Sequence, residues 1–360
     1  MDLLDISNIR GHNQHIKQTN CISAKELIHS LGAMQAQDFI MSKWAVGLRL
    51  QHSTEETVEA TYNNGEIIRT HLMRPTWHLV SANDIYWLLE LTAPRIKPLL
   101  KTRNIQLELT ENIFSKCNNI MEKELVNNTH LTREALTQLF ENADIRTNDN
   151  RLSHILMNAE LNGLICSGSL KNSKLTYALL SDRVPTKNQL TKEESLNELA
   201  KRYFTSHGPA TLLDFVWWSG LSVSDAKKAL EMNKSNLLCE TVESETYWFG
   251  NSFSGSKNSQ SVHLLPAFDE LLISYRNRTA IINNEHHKKA ISSNGIFRPI
   301  VVINNQVAGI WRRVTKNKFT IIEVNLFQRQ DMGSIESIEN EASRYGAFIN
   351  RPIQLVINND

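Results

Sequence analysis

Residues 23–50, SAKELIHSLGAMQAQDFIMSKWAVGLRL, contain two segments with helical spacing of apolar residues and a short turn between them. Ser23 and Glu26 form a capping-box pattern that predicts the start of the first helix, and Gly32 is placed to end it. Asp38 is placed to cap the second helix. The stretch therefore predicts a helix-turn-helix whose turn carries the sequence Gln-Ala-Gln.

This turn holds two carboxamides, Gln35 and Gln37. If the turn is extended, residues two apart point to the same side, so both amides would face one target. The adjacent helix N-terminus would add partial positive charge. Two neutral amides can position a water or a sugar oxygen without repelling a cationic substrate. The alternative is that both glutamines simply bond backbone groups or water, as turn glutamines commonly do.

Composition limits the class of protein. The chain has 360 residues, of which 41% are hydrophobic and 21% charged, a balance typical of a globular protein with more than one core. No apolar run approaches the ~20 residues of a membrane span, and the N-terminus lacks the features of a signal peptide. Four dispersed cysteines and the absence of metal-ligand spacings predict no disulfide frame, no metal and no cofactor. We expect an intracellular, cytoplasmic protein that does not contact membranes.

Basic residues are concentrated in residues 271–320. This segment has nine basic residues and one acid, a net +8, whereas the whole chain carries +1. Such asymmetry indicates a polyanion as partner, and the alternative is a solvated basic face. The nine residues are Arg276, Arg278, Lys288, Lys289, Arg298, Arg312, Arg313, Lys316 and Lys318.

The order of predicted elements recurs three times. Residues 1–81, 131–181 and 191–250 each show helices followed by two short β-type runs, which is the order of a winged helix and an internal repeat. After Val262 the β-type runs predict a small barrel or closed sheet, with 271–275 among its strands and a tight turn at Asn304-Asn305 between two others. The expected fold class is α+β, with tandem winged-helix motifs and a C-terminal β-barrel. The expected units are 1–128 with the glutamine pair and a helical connector, 129–190, 191–252, and 253–360 as the barrel.

Two predicted hairpins could approach a nucleic acid. In the first, strands 67–71 and 76–80 flank the corner Met73-Arg74-Pro75, and a later polar loop carries Lys171 as a wing tip would. Side chains at the first hairpin could reach DNA near a reaction centre, with Arg74 on a phosphate. The alternative is a structural wing with Arg74 in solvent. The pair Trp217-Trp218 is expected in the core because its helix has apolar neighbours.

Six sequence motifs, in this order along the chain, resemble the winged-helix DNA glycosylase family of AlkZ and YcaQ. The resemblance implies three winged helices in a C-shaped scaffold, a C-terminal β-barrel, and removal of N7-alkylated purines from DNA, with unhooking of interstrand crosslinks in some members. The motifs are Leu31-Gly-Ala-Met-Gln35-Ala-Gln37, Arg69-Thr-His-Leu-Met-Arg74-Pro-Thr-Trp-His78, Gly208-Pro-Ala-Thr, Trp218-Ser-Gly-Leu221, Leu264-Leu-Pro-Ala-Phe-Asp269 with Tyr275-Arg-Asn-Arg278, and Gly309-Ile-Trp-Arg312.

The resemblance also implies the site residues. The family's catalytic motif is Gln-x-Gln in the AlkZ branch and Gln-x-Asp in the YcaQ branch, and Gln35 and Gln37 match the former. Gln37 would hold the attacking water, while Gln35 would orient it or bond the sugar-phosphate. Because an N7-alkylguanine is already cationic, its departure needs little general-acid help. Pro75 stands where the hairpin motif is expected to have glycine.

The expected partner is double-stranded DNA, alkylated or crosslinked, bound by a monomer. The expected DNA contacts are His71, Arg74, Lys171, Arg276, Arg278, Arg298, Arg312 and Arg313. A second hypothesis is a non-catalytic winged-helix regulator of transcription, because this fold mostly serves as a binding module.

Overall fold

The computed structural model describes residues 1–17, 21–250 and 261–359, and it is a mixed α+β fold. Within these residues no helix is both long enough and apolar enough to span a bilayer. The expected unit boundary at residues 252–253 lies outside the described ranges. One hydrophobic core joins the N-terminal region, residues 196–247 and the C-terminal region, and a second core lies within residues 107–179.

The N-terminal unit contains four helices and a three-stranded antiparallel sheet of order β1-β3-β2. Ser23 accepts a hydrogen bond from the Glu26 N–H and Asp38 accepts one from the Met41 N–H, so both predicted helix caps form. The predicted hairpin is also present. The elements are α1 Leu3–Asn13, α2 Ala24–Leu31, β1 Met34–Gln35, α3 Phe39–Gly47, α4 Glu55–Asn63, β2 Ile67–Leu72 and β3 Thr76–Ser81.

A long helical connector leads to the second unit, whose sheet has the order β4-β6-β5. This repeats the order first–third–second of the N-terminal sheet. The connector helices are α5 Ile85–Gln106 and α6 Glu111–Glu124. The second unit comprises β4 Leu131–Thr132, α7 Arg133–Asn142, α8 Arg151–Leu161, β5 Ile165–Ser167, β6 Thr176–Leu179 and the short α9 Leu180–Arg183.

The third unit has three helices followed by a two-stranded hairpin. Thr211 and Ser222 cap its second and third helices by accepting the N–H groups of Asp214 and Asp225. The elements are α10 Lys192–Ser206, α11 Leu212–Ser219, α12 Val223–Asn233, a 3-10 turn Lys234–Asn236, β7 Leu238–Val242 and β8 Glu245–Phe249.

The C-terminal region is built on a five-stranded sheet of order β13-β12-β11-β10-β9, parallel only between β12 and β13. Its edge strands β9 and β13 are not paired with each other in the part of the chain that the structure describes, so the predicted closed barrel is not observed. The elements are β9 Val262–Leu265, α13 Glu270–Ile273, α14 Asn284–Ala290, β10 Ile300–Ile303, β11 Gln306–Thr315, β12 Thr320–Leu326, α15 Met332–Phe348 and β13 Ile353–Asn359.

The predicted strand 271–275 is wrong, because this segment forms the short helix α13. All four residues of α13 are buried, so its apolar run has no periodicity that would distinguish a strand from a helix. The Asp269 carboxylate caps the helix by accepting the Leu271 N–H at 2.9 Å. By contrast, the predicted tight turn at Asn304-Asn305 is confirmed, since both residues have positive φ, 49° and 65°.

Gly47 lies where α3 packs against α15. A methyl group on Gly47 would lie 2.2 Å from a ring carbon of Phe348, which is buried and packs on Trp44 at 5.1 Å between ring centroids. We predict that Gly47→Ala lowers the free energy of unfolding by about 2 kcal/mol, measured by urea denaturation, because the Phe348 ring would have to shift from its packing on Trp44 to make room for the methyl group. The matched control is Gly11→Ala in α1, whose methyl group would meet its nearest atom at 3.4 Å. Equal stabilities of the two variants would contradict this packing.

Candidate active site

Gln35 lies on β1, paired with His78 of β3, rather than in a simple turn between helices. Its side chain is only 5% exposed. The Arg74 Nη2 donates a hydrogen bond to Gln35 Oε1 at 2.8 Å. Because arginine only donates, this bond requires the amide oxygen of Gln35 to face Arg74. The polar group that Gln35 can still offer to a substrate is therefore its NH2, a donor.

Gln37 lies two residues further along and is exposed. Its Oε1 accepts the Trp77 N–H at 3.4 Å, and the neighbouring Ala36 N–H donates to the Trp77 carbonyl at 2.8 Å. The hairpin β2–β3 therefore supports both glutamines from one side. The two carboxamides differ in exposure, since Gln37 is at the surface while Gln35 is buried beside it.

Behind Gln35 lies a buried carboxylate, that of Glu270, which is 1% exposed. Its Oε1 accepts the Gln35 N–H at 2.6 Å, and its Oε2 accepts the Trp218 indole N–H at 3.1 Å and the Ser274 hydroxyl. His207 Nε2 lies 3.6 Å from the same oxygen. Burial alone would raise the pKa of Glu270, but the interaction with His207 and the other donors outweighs it and lowers that pKa to about 2. Glu270 is therefore ionised.

The two histidines closest to this site are neutral. Burial, together with the positive charge of Arg74, lowers the pKa of His78 to about 3. The His78 Nδ1–H donates to the Thr76 carbonyl at 3.0 Å. Burial also lowers the pKa of His207. The charged side chains that hydrogen-bond to Gln35 are therefore Arg74 and Glu270, one of each sign, and the buried Arg69 donates to the carbonyl of the adjacent Ala36 at 2.9 Å.

Trp217 connects the hairpin to the C-terminal region. The guanidinium carbons of Arg74 and Arg278 lie 5.5 Å and 5.2 Å from its ring centroid, and its indole N–H donates to the Ile273 carbonyl at 2.8 Å. Arg74 Nε and Arg278 Nη2 are buried and have no hydrogen-bond partner within the described residues. Burial lowers the pKa of Arg278 to about 10, and repulsion from Arg74 acts in the same direction. Two partly desolvated cations with unused donors are suited to binding an anion.

A cavity of about 530 Å³ opens beside Arg278. Its basic lining consists of Arg276, Arg278 and His287. Of its two acids, Asp214 is buried and already accepts the N–H groups of Arg276 and Asn277, while Glu245 is exposed. The cavity therefore continues the cationic surface that begins at the hairpin.

The other residues predicted to contact DNA are scattered. His71 is buried, pairs with Glu160 and contacts the Trp77 ring, which argues against a direct DNA contact. Lys171 and Arg298 are exposed. On β11, the Arg312 Nε donates to Glu323 at 2.6 Å and Arg313 donates to the Tyr345 hydroxyl at 3.4 Å. No hydrogen bond, ion pair or ring contact in the described ranges joins these five residues to Gln35.

Sequence reasoning missed two residues of the site, Trp217 and Glu270. Trp218 is buried as predicted, but Trp217 is 39% exposed. Adjacent residues of a helix point about 100° apart, so two neighbouring tryptophans do not both face one core, and this signal was present in the sequence. The signal for Glu270 was weaker: two adjacent acids, Asp269 and Glu270, inside an apolar run.

Comparisons with known proteins agree over nearly the whole chain. The family model described as DNA glycosylase AlkZ-like matches residues 28–348. The interstrand DNA cross-link repair glycosylase of Streptomyces sahachiroi is 22% identical, over 96% of this chain and 97% of its own. The solved structure of Streptomyces sahachiroi DNA glycosylase AlkZ aligns with a TM-score of 0.81 at 20% identity, over 99% of this chain and 100% of that one. This structural likeness shows that the two chains share a fold.

The ionised Glu270 predicts an acid-dependent loss of stability. Its pKa falls from 4.5 to about 2 on folding, so its stabilising contribution is complete above pH 4.5 and disappears as the pH falls toward 2. We predict that the wild type loses about 3 kcal/mol more of its unfolding free energy over this range than Glu270→Gln does. Urea denaturation at a series of pH values measures this difference, and parallel pH profiles would contradict it.

Proposed function

The chain belongs to the AlkZ-like DNA glycosylase family, and we propose that it is a monofunctional glycosylase that hydrolyses the N-glycosidic bond of N7-alkylated purines in DNA. The observation that carries this proposal is the arrangement of Gln35 and Gln37, one carboxamide fixed by Arg74 and the other exposed beside it. In the reaction, a water oxygen bonds to C1′ of the sugar and the C1′–N9 bond breaks. The bonding electrons move to the purine and neutralise its positive charge, and the water loses a proton to solvent.

We propose different roles for the two glutamines. Gln37 is exposed and its carboxamide can accept a hydrogen from the attacking water. Gln35 has its oxygen committed to Arg74, so its NH2 donates to a sugar or phosphate oxygen of the damaged nucleotide. Arg74 is a positioning residue in this scheme, because it selects the orientation of the Gln35 amide.

The chemistry of the site fits a cationic leaving group. An N7-alkylated purine leaves as a neutral base and needs no proton from the enzyme. His78 is the histidine paired with Gln35 across the sheet, and its pKa of about 3 makes it unable to act as a general acid near neutral pH. What remains for the protein is to place the water and to stabilise the sugar cation.

We propose that the DNA backbone lies along Arg74, Trp217, Arg278 and the cavity beside Arg276. The unused donors of Arg74 and Arg278 support this path, since phosphate oxygens would satisfy them. Lys171, Arg298, Arg312 and Arg313 are candidates for more distant phosphate contacts. The guanidinium of Arg312 is the least available of these because it already binds Glu323.

We further propose that residues 1–128, 129–190 and 191–252 each contain a winged helix. The shared first–third–second strand order of the first two sheets supports this, as does the terminal hairpin of the third unit.

Crosslinked DNA is a second proposed substrate, since a bulky lesion can reach an exposed Gln37 and the Streptomyces sahachiroi relative is named for crosslink repair. We expect a monomer that acts in the cytoplasm, at the nucleoid. The alternative of a non-catalytic regulator is not favoured, because the matching family and relatives are glycosylases.

Substitutions of the glutamines test the two roles separately. Gln35→Glu keeps an acceptor for Arg74 but cannot donate, so release of N7-methylguanine from methylated DNA should fall about 100-fold. Gln37→Glu keeps an acceptor for water and should retain most activity, whereas the Gln35→Ala/Gln37→Ala double variant should be inactive. The control is Gln138→Ala on the exposed surface of α7. Unchanged release by the double variant would refute the assignment.

Salt dependence tests the backbone path. Arg276→Gln should lower the slope of log K against log salt by roughly 0.9 for duplex DNA, the effect of one lost phosphate contact. Arg146→Gln, an exposed arginine of the second unit paired with Glu108, should leave the slope unchanged. Fluorescence anisotropy with DNA containing a neutral abasic-site analogue gives both slopes. Identical slopes for Arg276→Gln and the wild type would exclude the cavity from the binding surface.

A further inference from the structure

The Gln-x-Gln centre contains no carboxylate, although hydrolysis of a glycosidic bond generates a cationic sugar. The structure nevertheless contains one next to it, because the ionised Glu270 lies directly behind Gln35. We propose that Glu270 supplies the negative charge that makes this centre favour a cationic sugar over a neutral one. This inference rests on the proposed function and adds a specificity-determining residue to it.

Glu270 is too deeply buried to touch DNA, so it acts through Gln35. Its carboxylate accepts the Gln35 N–H at 2.6 Å and so fixes the strand that carries the amide. Its other oxygen is held by Trp218 and Ser274. The negative charge therefore has one fixed position relative to the Gln35 carboxamide. A preorganised charge of this kind stabilises an opposite charge that develops nearby without any reorganisation cost.

Two other arginines near the site are each paired with a carboxylate. Arg10 and Arg49 also face this region, but Arg10 lies 3.6 Å from Asp214, and Arg49 binds Asp269 through two hydrogen bonds of 2.8 and 2.9 Å. In each pair the positive charge of the arginine is offset by the negative charge of its aspartate. With His78 and His207 neutral, Arg74 and Glu270 are the charged side chains that hydrogen-bond to Gln35 itself, while the buried Arg69 donates to the carbonyl of the adjacent Ala36 at 2.9 Å.

Arg74 and Glu270 therefore have opposite effects on a cationic substrate. Arg74 contacts the Gln35 oxygen directly and, uncompensated, would repel both an N7-alkylated base and the sugar cation. The charge of Glu270 offsets this repulsion, while Arg74 remains able to orient Gln35 and to bind phosphate. A purely structural role for Glu270, as a tie between β1 and α13, would give no such dependence on substrate charge.

The test compares two DNA duplexes that differ in one charge. One contains a pyrrolidine nucleotide, a cationic mimic of the sugar in the transition state, and the other contains neutral tetrahydrofuran. Binding of both to the full-length protein is measured by fluorescence anisotropy at one salt concentration, and the ratio of the two dissociation constants is the readout. The wild type should prefer the cationic duplex, and Glu270→Gln should reduce that preference about tenfold. Glutamine is isosteric and still accepts the Gln35 N–H.

Two further variants separate charge from structure. Ser274→Ala removes one hydrogen bond to the carboxylate but leaves its charge, so the preference should persist. Arg74→Gln removes the opposing charge, so the preference should increase although the affinity for both duplexes falls. If thermal denaturation shows that Glu270→Gln does not fold, Glu270→Asp, which moves the carboxylate away from Gln35, should lower the preference by a smaller factor, and an unchanged preference there would also overturn the inference.

A wild type without preference for the cationic duplex would overturn the inference, as would an unchanged preference in Glu270→Gln or Arg74→Gln. These results are distinguishable from failure of the proposed function, which is judged by release of N7-methylguanine from the wild type. A wild type that releases the base but whose variants keep the same preference refutes the role of Glu270 alone.

Discussion

The structure depends on two adjacent buried carboxylates, Asp269 and Glu270, at the start of α13. A buried charge is strongly destabilising unless it is paired and fully hydrogen-bonded. Asp269 is neutralised by a two-point bond to Arg49 from the end of α3, whereas Glu270 is held by N–H and O–H donors from β1, α11 and the residue after α13. Since these partners come from three regions of the chain, neither carboxylate can be stabilised until the regions are assembled.

The contacts that join β1, α11 and α13 at Glu270 also determine the geometry of the candidate active site. Glu270 fixes the backbone of Gln35, and Arg74 of the hairpin fixes the side chain, so the amide is held at both ends. The last residue of α13, Ile273, accepts the indole N–H of Trp217 and so orients this ring. Trp217 in turn lies between Arg74 of the hairpin and Arg278. Assembly of the core therefore also brings together the proposed reaction centre and the arginines proposed to bind phosphate. On this proposal, the precise placement of the glutamines is a consequence of how the buried charges are satisfied.

Local features of this fold could be predicted from the sequence, and long-range ones could not. Ser23, Asp38 and the turn at Asn304-Asn305 were identified because capping and turn formation depend on a few neighbouring residues. The helix α13 was mistaken for a strand because complete burial removes the periodicity that separates the two. The burial of Gln35 and its bond to Glu270 join residues 235 positions apart, and no spacing rule reports such a contact.

The absence of a usable general acid among the residues described around the candidate site accounts for the selectivity for damaged DNA that we propose. An undamaged purine must be protonated before it can leave, and that requires a general acid. His78 is unsuitable, because protonating a group with a pKa of about 3 near neutral pH costs roughly 5 kcal/mol. Arg74 cannot give up its proton, and burial raises the pKa of Tyr203 well above its usual value. We therefore expect a centre of neutral amides, in which the buried Glu270 offsets the positive charge of Arg74, to leave normal DNA intact and to act only where alkylation has already supplied the charge on the base.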